Sequence, residues 1–318
     1  MTRSVENLRA IEGGNAVEVE YLGYLLWSTV SDVLKIPTED LEAALAEYGL
    51  EKFMPRKINP RDAFRRVTKG FEFKREPYGK GTYTNLLVRD VKYAEGEVIR
   101  QLVREVVDGE NKRLDYMPVL QLEIGEAGDV GITPLVDPLT PSEKVVKESL
   151  PQLQEDACNH YDGTHVRYMI QIILRRCDPV SVRPNGGVEF IPQKYAETVE
   201  AVKGLCKRLN QYQGRVKMYS VPVIDATEHR EMIGENLEEQ VLTGSTSLIQ
   251  EMKNVMENPA QGISTRAAKG FADRIKSLKD LVSEYEEMLE TQATTARANL
   301  DIARQQAIKL MELASEDS

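Results

Sequence analysis

The sequence predicts an α+β fold in three parts: N-terminal helices plus an antiparallel meander, a central module of helices and a β-hairpin, and a C-terminal long helical hairpin or coiled coil. Three observations predict it. Apolar residues recur at helical spacing towards both ends of the chain, they alternate with period two over 71–136, and turn-forming residues surround a short paired segment in the middle. The corresponding domains are 1–136, 140–225 and 226–318.

The N-terminal part begins with a predicted helix. Apolar side chains between Val17 and Leu34 fill most of one helical face, and this face would carry Trp27, the single tryptophan, into a core. We therefore interpret residues 1–70 as a helical region.

Two shorter helices are predicted next, each from its end signals. Thr38 is the expected N-cap of the first, acidic residues follow in its first turn, and Gly49 ends it. Asn59 is the expected cap of the second, Pro60 is its first residue, and Gly70 is expected to end it in the left-handed conformation.

The alternating stretch predicts an antiparallel meander. Asp108-Gly109 is a strong hairpin signal because both residue types tolerate positive φ. A short edge strand is expected at 129–134, and the prolines that follow predict a linker. The three strand-length runs are 86–93, 98–107 and 114–124.

The central module begins with a capped helix. Thr140 is the predicted N-cap, followed by a proline and by acidic Glu143 in the first turn. Pro151 is expected to kink or divide this helix. A further helix is predicted from Thr164, although the β-branched run at 170–173 leaves a strand interpretation open.

A β-hairpin is predicted at 179–192, where two short alternating segments flank Asn-Gly-Gly. A helix at about 194–209 and a strand at 216–224 complete the module. Because a helix followed by a hairpin is also the end of a winged-helix domain, that arrangement is an alternative.

The C-terminal part is predicted to form two long helices, 226–257 and 264 to about 313. Apolar residues of the second helix follow heptad spacing with one additional four-residue step, and about 50 residues would span about 75 Å. Such a helix is expected to project or to pack on another chain, so a homo-oligomer is predicted. The alternative is that helix 226–257 covers the seam within one monomer. The predicted oligomerisation residues are Phe271, Ile275, Leu278, Val282, Tyr285, Leu289 and Leu300.

Composition narrows the class of protein. The chain has 318 residues and a net charge of −10, which argues against a surface that coats nucleic acid throughout. No apolar run approaches the roughly 18 residues of a membrane helix, and the N-terminus lacks a signal-peptide pattern. Three cysteines without a CxxC motif predict free thiols in a reducing compartment. We therefore expect a cytoplasmic protein with no membrane partner.

The richest group of metal-ligating residue types comprises Cys158, His160 and His165, with Asp156 and Asp162 beside them. Zinc accepts such ligands, but the spacing matches no common zinc pattern, and a buried thiol beside a capping or exposed histidine is the competing interpretation. Phosphate-loop and hydrolase motifs do not occur. No cofactor is therefore predicted, and a metal-dependent enzyme is the less favoured function.

The strongest departure from the background is electrostatic. Residues 53–81 contain nine basic and three acidic side chains, a local charge of +6, with aromatic residues between them. Cations that neutralise phosphates and rings that stack on bases are typical of single-stranded nucleic-acid surfaces. The alternatives are a solvated exterior over a phenylalanine core, or docking on residues 226–318, which carry a net charge of −7. The predicted nucleic-acid-binding residues are Arg56, Lys57, Arg61, Arg65, Arg66, Lys69, Lys74 and Arg75.

The segment Arg183-Pro-Asn-Gly-Gly-Val-Glu-Phe-Ile-Pro192, followed by Val221-Pro-Val-Ile-Asp225 and an acidic helix, resembles a family of uncharacterised proteins from phages and bacterial mobile elements. The resemblance lies mainly within 160–260. It implies a phage or mobile-element setting and assigns no activity to named residues.

Two functions are therefore predicted. The first is a non-enzymatic interaction or scaffold protein that self-associates through its C-terminal helices. The alternative is a nucleic-acid-binding accessory protein that uses residues 53–81, with DNA or RNA as its partner.

Overall fold

The predicted α+β class is confirmed by a computed structural model, which describes residues 9–12, 15–18, 20–79, 81–94, 97–126, 128–183, 186–257 and 264–316. The α-helices among them are α1 (Thr38–Glu47), α2 (Pro60–Lys69), α3 (Pro141–Asn159), α4 (Gly163–Arg175), α5 (Ala196–Leu209), α6 (Thr227–Glu257), α7 (Thr265–Leu289) and α8 (Thr294–Glu316). The strands are β1 (Arg9–Glu12), β2 (Asn15–Glu18), β3 (Tyr21–Val30), β4 (Lys35–Pro37), β5 (Phe73–Gly79), β6 (Thr82–Ala94), β7 (Glu97–Asp108), β8 (Arg113–Ile124), β9 (Val130–Pro134), β10 (His160–Asp162), β11 (Val180–Ser181), β12 (Glu189–Pro192) and β13 (Val216–Ile224). No described helix combines the length and apolar character needed to cross a bilayer.

The chain forms two compact units. The bundle unit holds the described residues of Met1–Val30, Tyr168–Asn210 and Arg215–Ser318, and the meander unit holds those of Ser31–Arg167 with Gln211–Gly214. These units do not coincide with the three predicted domains, whose boundaries remain a prediction about which segments fold independently.

The sheet of the bundle unit has four antiparallel strands in the order β11-β12-β3-β13. The first predicted helix is therefore wrong, because β3 lies inside this sheet. At Gly23 an added Cβ would lie 2.0 Å from the backbone oxygen of Ile191, so only glycine permits this approach of the strands. Trp27 stacks on Tyr219 of β13 with centroids 5.3 Å apart, and it is half-buried rather than central in a core.

The predicted hairpin is confirmed, since Val180 pairs with Phe190 and Ser181 with Glu189. Its residues 184 and 185 lie outside the described residues. Strand β12 also pairs with β3, so both hairpin strands belong to the larger sheet and the winged-helix alternative is wrong. The strand interpretation of the preceding segment is wrong as well, because that segment lies within α4.

The C-terminal region forms three packed helices rather than the two predicted. The second predicted helix is interrupted at Glu290, which adopts a left-handed conformation with φ of 52°. Glu286 Oε1 accepts the backbone N–H of Ala293 at 2.9 Å and holds the connection to α8. The additional four-residue step in the heptad pattern coincides with this turn. The 25 residues of α7 span about 38 Å, so the projecting 75 Å helix is wrong.

The meander unit contains a five-stranded antiparallel sheet in the sequential order β5-β6-β7-β8-β9, which confirms the meander and its edge strand. The turn between β7 and β8 differs from the prediction. The residue with positive φ is Asn111, at 64°, rather than Gly109. Asp108 Oδ1 accepts the backbone N–H groups of Glu110 and Lys112, each at 2.9 Å, so the aspartate organises a longer turn.

Helices α2 and α3 bury apolar residues against one face of this sheet. The cap of α2 is confirmed, because Asn59 Oδ1 accepts the backbone N–H of Arg61 at 2.9 Å. The left-handed stop is wrong, since Gly70 has φ of −64°. Pro151 does not divide α3, which continues unbroken to Asn159. The core of this unit includes Phe64, Leu86, Val88, Leu102, Leu120, Leu122, Val146 and Leu150.

The predicted caps of α1 have mixed outcomes. Gly49 follows the helix with φ of +67°, as expected for a glycine stop. Thr38 is not the N-cap, a position that Pro37 occupies. Its hydroxyl instead donates to the carbonyl oxygen of Asn159 at 3.1 Å, which joins α1 to the end of α3.

Candidate nucleic-acid interface and adjoining pocket

Helix α2 presents a basic face to solvent. Ala63, Phe64 and Thr68 are buried, Arg66 and Lys69 are exposed, and Arg61 and Arg65 are partly exposed. Arg61, Arg65 and Lys69 succeed each other at four-residue intervals and therefore form one row along the helix. We call these three residues the basic row.

Two members of the basic row have no carboxylate partner among the described residues. Arg65 Nη1 lies 2.8 Å from Asp62 Oδ1 and is paired. Neither Arg61 nor Lys69 forms an ion pair with any of the residues that the structure describes. The charge of α2 is thus only partly neutralised by its own unit.

The other predicted phosphate-binding residues lie before and after α2. Arg56 and Lys57 are exposed in the segment that precedes it. The hydroxyl of Tyr161 lies 3.3 Å from the carbonyl oxygens of both Pro55 and Arg56 and anchors this segment. Lys74 and Arg75, also exposed, lie on β5.

The aromatic residues of the segment divide between core and surface. Phe64 is fully buried. Phe71 and Phe73 are partly buried and pack against the core. Tyr78 is 53% exposed. The guanidinium of Arg75 stacks 4.4 Å from the ring centroid of Tyr83. The alternative of a phenylalanine core is therefore confirmed for Phe64, and Tyr78 is the aromatic side chain of the segment that is exposed.

A pocket of about 280 Å³ lies between α2 and the end of α3. Val67, Phe71 and Leu153 supply apolar walls, whereas charged groups of both signs face them. The lining residues are Lys35, Arg66, Val67, Gly70, Phe71, Leu153, Asp156, Ala157, His160 and Asp162. The pocket thus brings together the basic segment and the histidine-containing cluster, which are about 90 residues apart in the sequence.

Two ion pairs cross the pocket. Arg66 Nε lies 3.5 Å from Asp162 Oδ2, and Lys35 Nζ lies 3.9 Å from Asp156 Oδ2. Both distances are longer than a charge-assisted hydrogen bond, which is about 2.7–2.9 Å. The cations therefore keep donor capacity for a ligand.

His160 contributes a hydrogen-bond acceptor in its neutral form. Its Nδ1 lies 2.9 Å from the carbonyl oxygen of Asp156. A carbonyl oxygen can only accept, so the proton of the neutral ring must lie on Nδ1 and Nε2 is left with a lone pair.

Asp162 is fixed by three hydrogen bonds at the start of α4. Its Oδ1 accepts the backbone N–H groups of Thr164 and His165 at 3.0 and 3.1 Å, and the ring Nδ1 of His165 lies 2.8 Å away. The pKa of Asp162 is lowered to about 2, and the hydrogen bond with the His165 side chain contributes most to this shift. Asp162 is therefore ionised at neutral pH and holds the pocket wall in place.

The candidate metal-ligating residues do not converge on one point. Cys158 Sγ accepts a hydrogen bond from Gln154 Nε2 at 3.3 Å, and burial raises the pKa of the thiol. His165 bonds to Asp162, whereas His160 bonds to a backbone carbonyl. No group of three or more His, Cys, Asp or Glu side chains is placed to hold a metal ion within the described part of the chain.

The predicted oligomerisation residues lie against helices of the same chain. Val282, Tyr285, Leu289 and Leu300 belong to one buried cluster that Leu278 contacts, and Phe271 and Ile275 belong to a second. The Tyr285 hydroxyl donates to the carbonyl oxygen of Asp178 at 2.6 Å. The seam is thus occupied within the bundle unit, and the argument from an unsupported helix no longer applies.

Sequence reasoning missed the pocket because its residues come from distant segments. Lys35 on β4 and Leu153 on α3 carry no local pattern that marks a site. Strand β4 pairs with β10, with Lys35 opposite Asp162, and this pairing brings the lysine to the pocket. Only the cluster around His160 and the basic charge of α2 gave a signal in the sequence.

These observations define a mixed α and β protein with antiparallel sheets, a C-terminal helical bundle and a charged pocket beside a basic helix. The chain belongs to a family of unknown function, DUF6744, whose model matches residues 21–316. No curated protein and no solved structure matches the chain.

Proposed function

We propose that this protein binds nucleic acid through the basic row of α2 and the exposed cations beside it. The observation that carries the proposal is that Lys69 is exposed and Arg61 partly exposed, and that neither has a carboxylate partner among the described residues. Cations held on a rigid helix and not neutralised internally can replace the counterions of phosphates.

This proposal is favoured over self-association because the seam is already buried within the chain. Self-association remains a prediction, which light scattering on the full chain tests. A species of 35.9 kDa would contradict it, and an integral multiple of that mass would support it.

The experiment compares charge reversal of the basic row with a matched reversal elsewhere. In the test variant Arg61→Glu and Lys69→Glu are combined. In the control, Lys207→Glu and Lys309→Glu change the net charge equally at exposed positions of α5 and α8. Binding of fluorescent single-stranded and double-stranded DNA and RNA is measured by anisotropy at about 50 and about 200 mM salt.

The test variant is expected to bind all sequences more weakly and to show a salt slope smaller by about 2, because two phosphate contacts are lost. The control is expected to match the wild type. Absence of binding by the wild type at low salt would overturn the proposal. A lower melting temperature of the test variant together with unchanged binding would favour intramolecular docking of the basic segment on acidic helices.

We propose in addition that the protein functions in a phage or mobile-element setting. This proposal rests on the resemblance of the segments 183–192 and 221–225 and of the acidic helix that follows them. Inspection of the genes that neighbour family members tests it, and neighbours drawn from central metabolism would contradict it.

A further inference from the structure

We infer that the pocket between α2 and α3 receives one unpaired base of a bound single strand, and that guanine is the preferred base. The inference rests on the proposed function, because the strand is held by the basic row. It adds a specificity site that the cations alone do not supply, since phosphate contacts carry no sequence information.

The size and walls of the pocket suit a single base. Its volume of about 280 Å³ lies just below the roughly 300–1,000 Å³ of pockets for drug-sized ligands. Phe71 offers an aromatic surface, and Val67 and Leu153 offer aliphatic ones. Flat π-systems stack on such surfaces, and each stacked base contributes substantially to single-strand binding.

The polar groups of the pocket match the two edges of guanine. Asp156 Oδ2 lies 3.9 Å from Lys35 Nζ, and Oδ1 accepts Gln152 Nε2 at 3.4 Å. Both contacts are long, so the two oxygens can also accept the N1–H and N2–H groups. The Arg66 guanidinium can donate to O6 and N7, a pairing that guanine alone offers in bidentate form. His160 Nε2 supplies a further acceptor.

The position of the pocket relative to the basic row supports entry from a bound strand. Lys69 of the basic row lies three residues after Arg66 of the pocket wall, and Gly70, which follows α2, also lines the pocket. Residues three and four apart on a helix are neighbours, so the Lys69 end of the row lies beside the pocket. A strand with a phosphate on Lys69 therefore places the adjoining base next to the pocket.

The test uses two variants of the full-length chain. Leu153→Trp adds bulk to the pocket from a position that is 36% exposed, so the core stays intact. Val145→Trp is the matched control on the same helix, at a position that is 58% exposed and does not line the pocket. Asp156→Asn removes the carboxylate charge with almost no change of shape. Circular dichroism establishes that each variant is folded.

The probes are two labelled single strands, a 15-mer of thymidine and the same strand with one central guanosine. The wild type and Val145→Trp are expected to bind the guanosine-containing strand about tenfold more tightly. Leu153→Trp and Asp156→Asn are expected to bind both strands equally, with the affinity of the wild type for oligothymidine.

Three outcomes overturn the inference. Equal binding of the two strands by the wild type removes the pocket assignment and leaves the proposed function standing. A guanosine preference that persists in Leu153→Trp assigns the preference to another site. Failure of the wild type to bind either strand at low salt removes the proposed function and the base site together.

Discussion

Arg104 and Glu143 form a bidentate ion pair inside the meander unit. Arg104 Nε lies 2.6 Å from Glu143 Oε1 and Nη2 lies 2.7 Å from Oε2, and the two side chains are only 10% and 1% exposed. Glu143 also accepts the backbone N–H of Thr140 at 2.8 Å. The same carboxylate therefore caps α3 and attaches that helix to β7. Burial would raise the pKa of Glu143, but the hydrogen bonds from Arg104 and Thr140 outweigh burial and lower it.

We expect Arg104→Met to destabilise the protein by about 3–5 kcal/mol, because it leaves the Glu143 carboxylate buried without its cation. Combining Arg104→Met with Glu143→Gln is expected to recover part of this loss, since no uncompensated charge remains. Urea denaturation followed by circular dichroism measures both changes.

The matched control for this prediction is Arg274→Met. Arg274 also binds a glutamate through two nitrogens, with Glu251 oxygens at 2.7 and 3.2 Å, but the pair is about half exposed. Its loss is expected to cost less than about 1 kcal/mol. Equal effects of Arg104→Met and Arg274→Met would show that burial does not determine the strength of these pairs.

Gly23→Ala is expected to disrupt the sheet of the bundle unit. The new methyl group would overlap the Ile191 carbonyl group, which is backbone and cannot rotate away, and it would lie 2.9 Å from the Phe190 ring. We expect a loss of at least about 1–3 kcal/mol. Gly109→Ala is the control, because no atom lies within 4 Å of its added Cβ. Thermal melts of both variants test this, and a wild-type melting temperature for Gly23→Ala would contradict it.

The hydrogen bonds of Asp162 predict a pH-dependent contribution to stability. Because its pKa falls from 3.8 to about 2 on folding, the ionised carboxylate stabilises the protein above pH 4, and this contribution is lost as the pH falls through about 2. The shift corresponds to about 2 kcal/mol. Melting curves of the wild type and Asp162→Asn should differ at pH 6 and converge towards pH 2. A difference that is constant with pH would contradict the assignment.

A chain that ends at Glu257 is expected to lose the cooperative unfolding of the bundle unit. Removing α7 and α8 exposes Val241, Leu248 and Met252 of α6, which share buried clusters with residues of those two helices in the full-length protein. Exposed apolar surface of this kind promotes aggregation. Size-exclusion chromatography and thermal melts measure the outcome. A monodisperse, cooperatively folding short chain would show that the seam is not needed within the monomer.

Local signals were sufficient where one segment determines its own structure. Asn59 with Pro60, the strand-length alternating runs and the hairpin at 179–192 were read from adjacent residues and are confirmed. The apolar stretch of β3 gave a wrong helix prediction because its spacing fits one face of a helix as well as a strand in the interior of a sheet. Its neighbours β12 and β13 lie more than 150 residues away in sequence, and they decide between the two.

The sequence by itself determined the α+β class, the Asn59 cap, the Gly49 stop, the hairpin at 179–192, the heptad pattern and the basic charge of the segment 53–81. Only the tertiary structure decided that the heptad seam turns back at Glu290 and is covered within the chain, and that Lys35 and Arg66 meet Asp156 and Asp162 in one pocket. The physical reason is that caps and periodicity depend on neighbouring residues. The partner of a buried face and the composition of a pocket depend on which distant segments pack together.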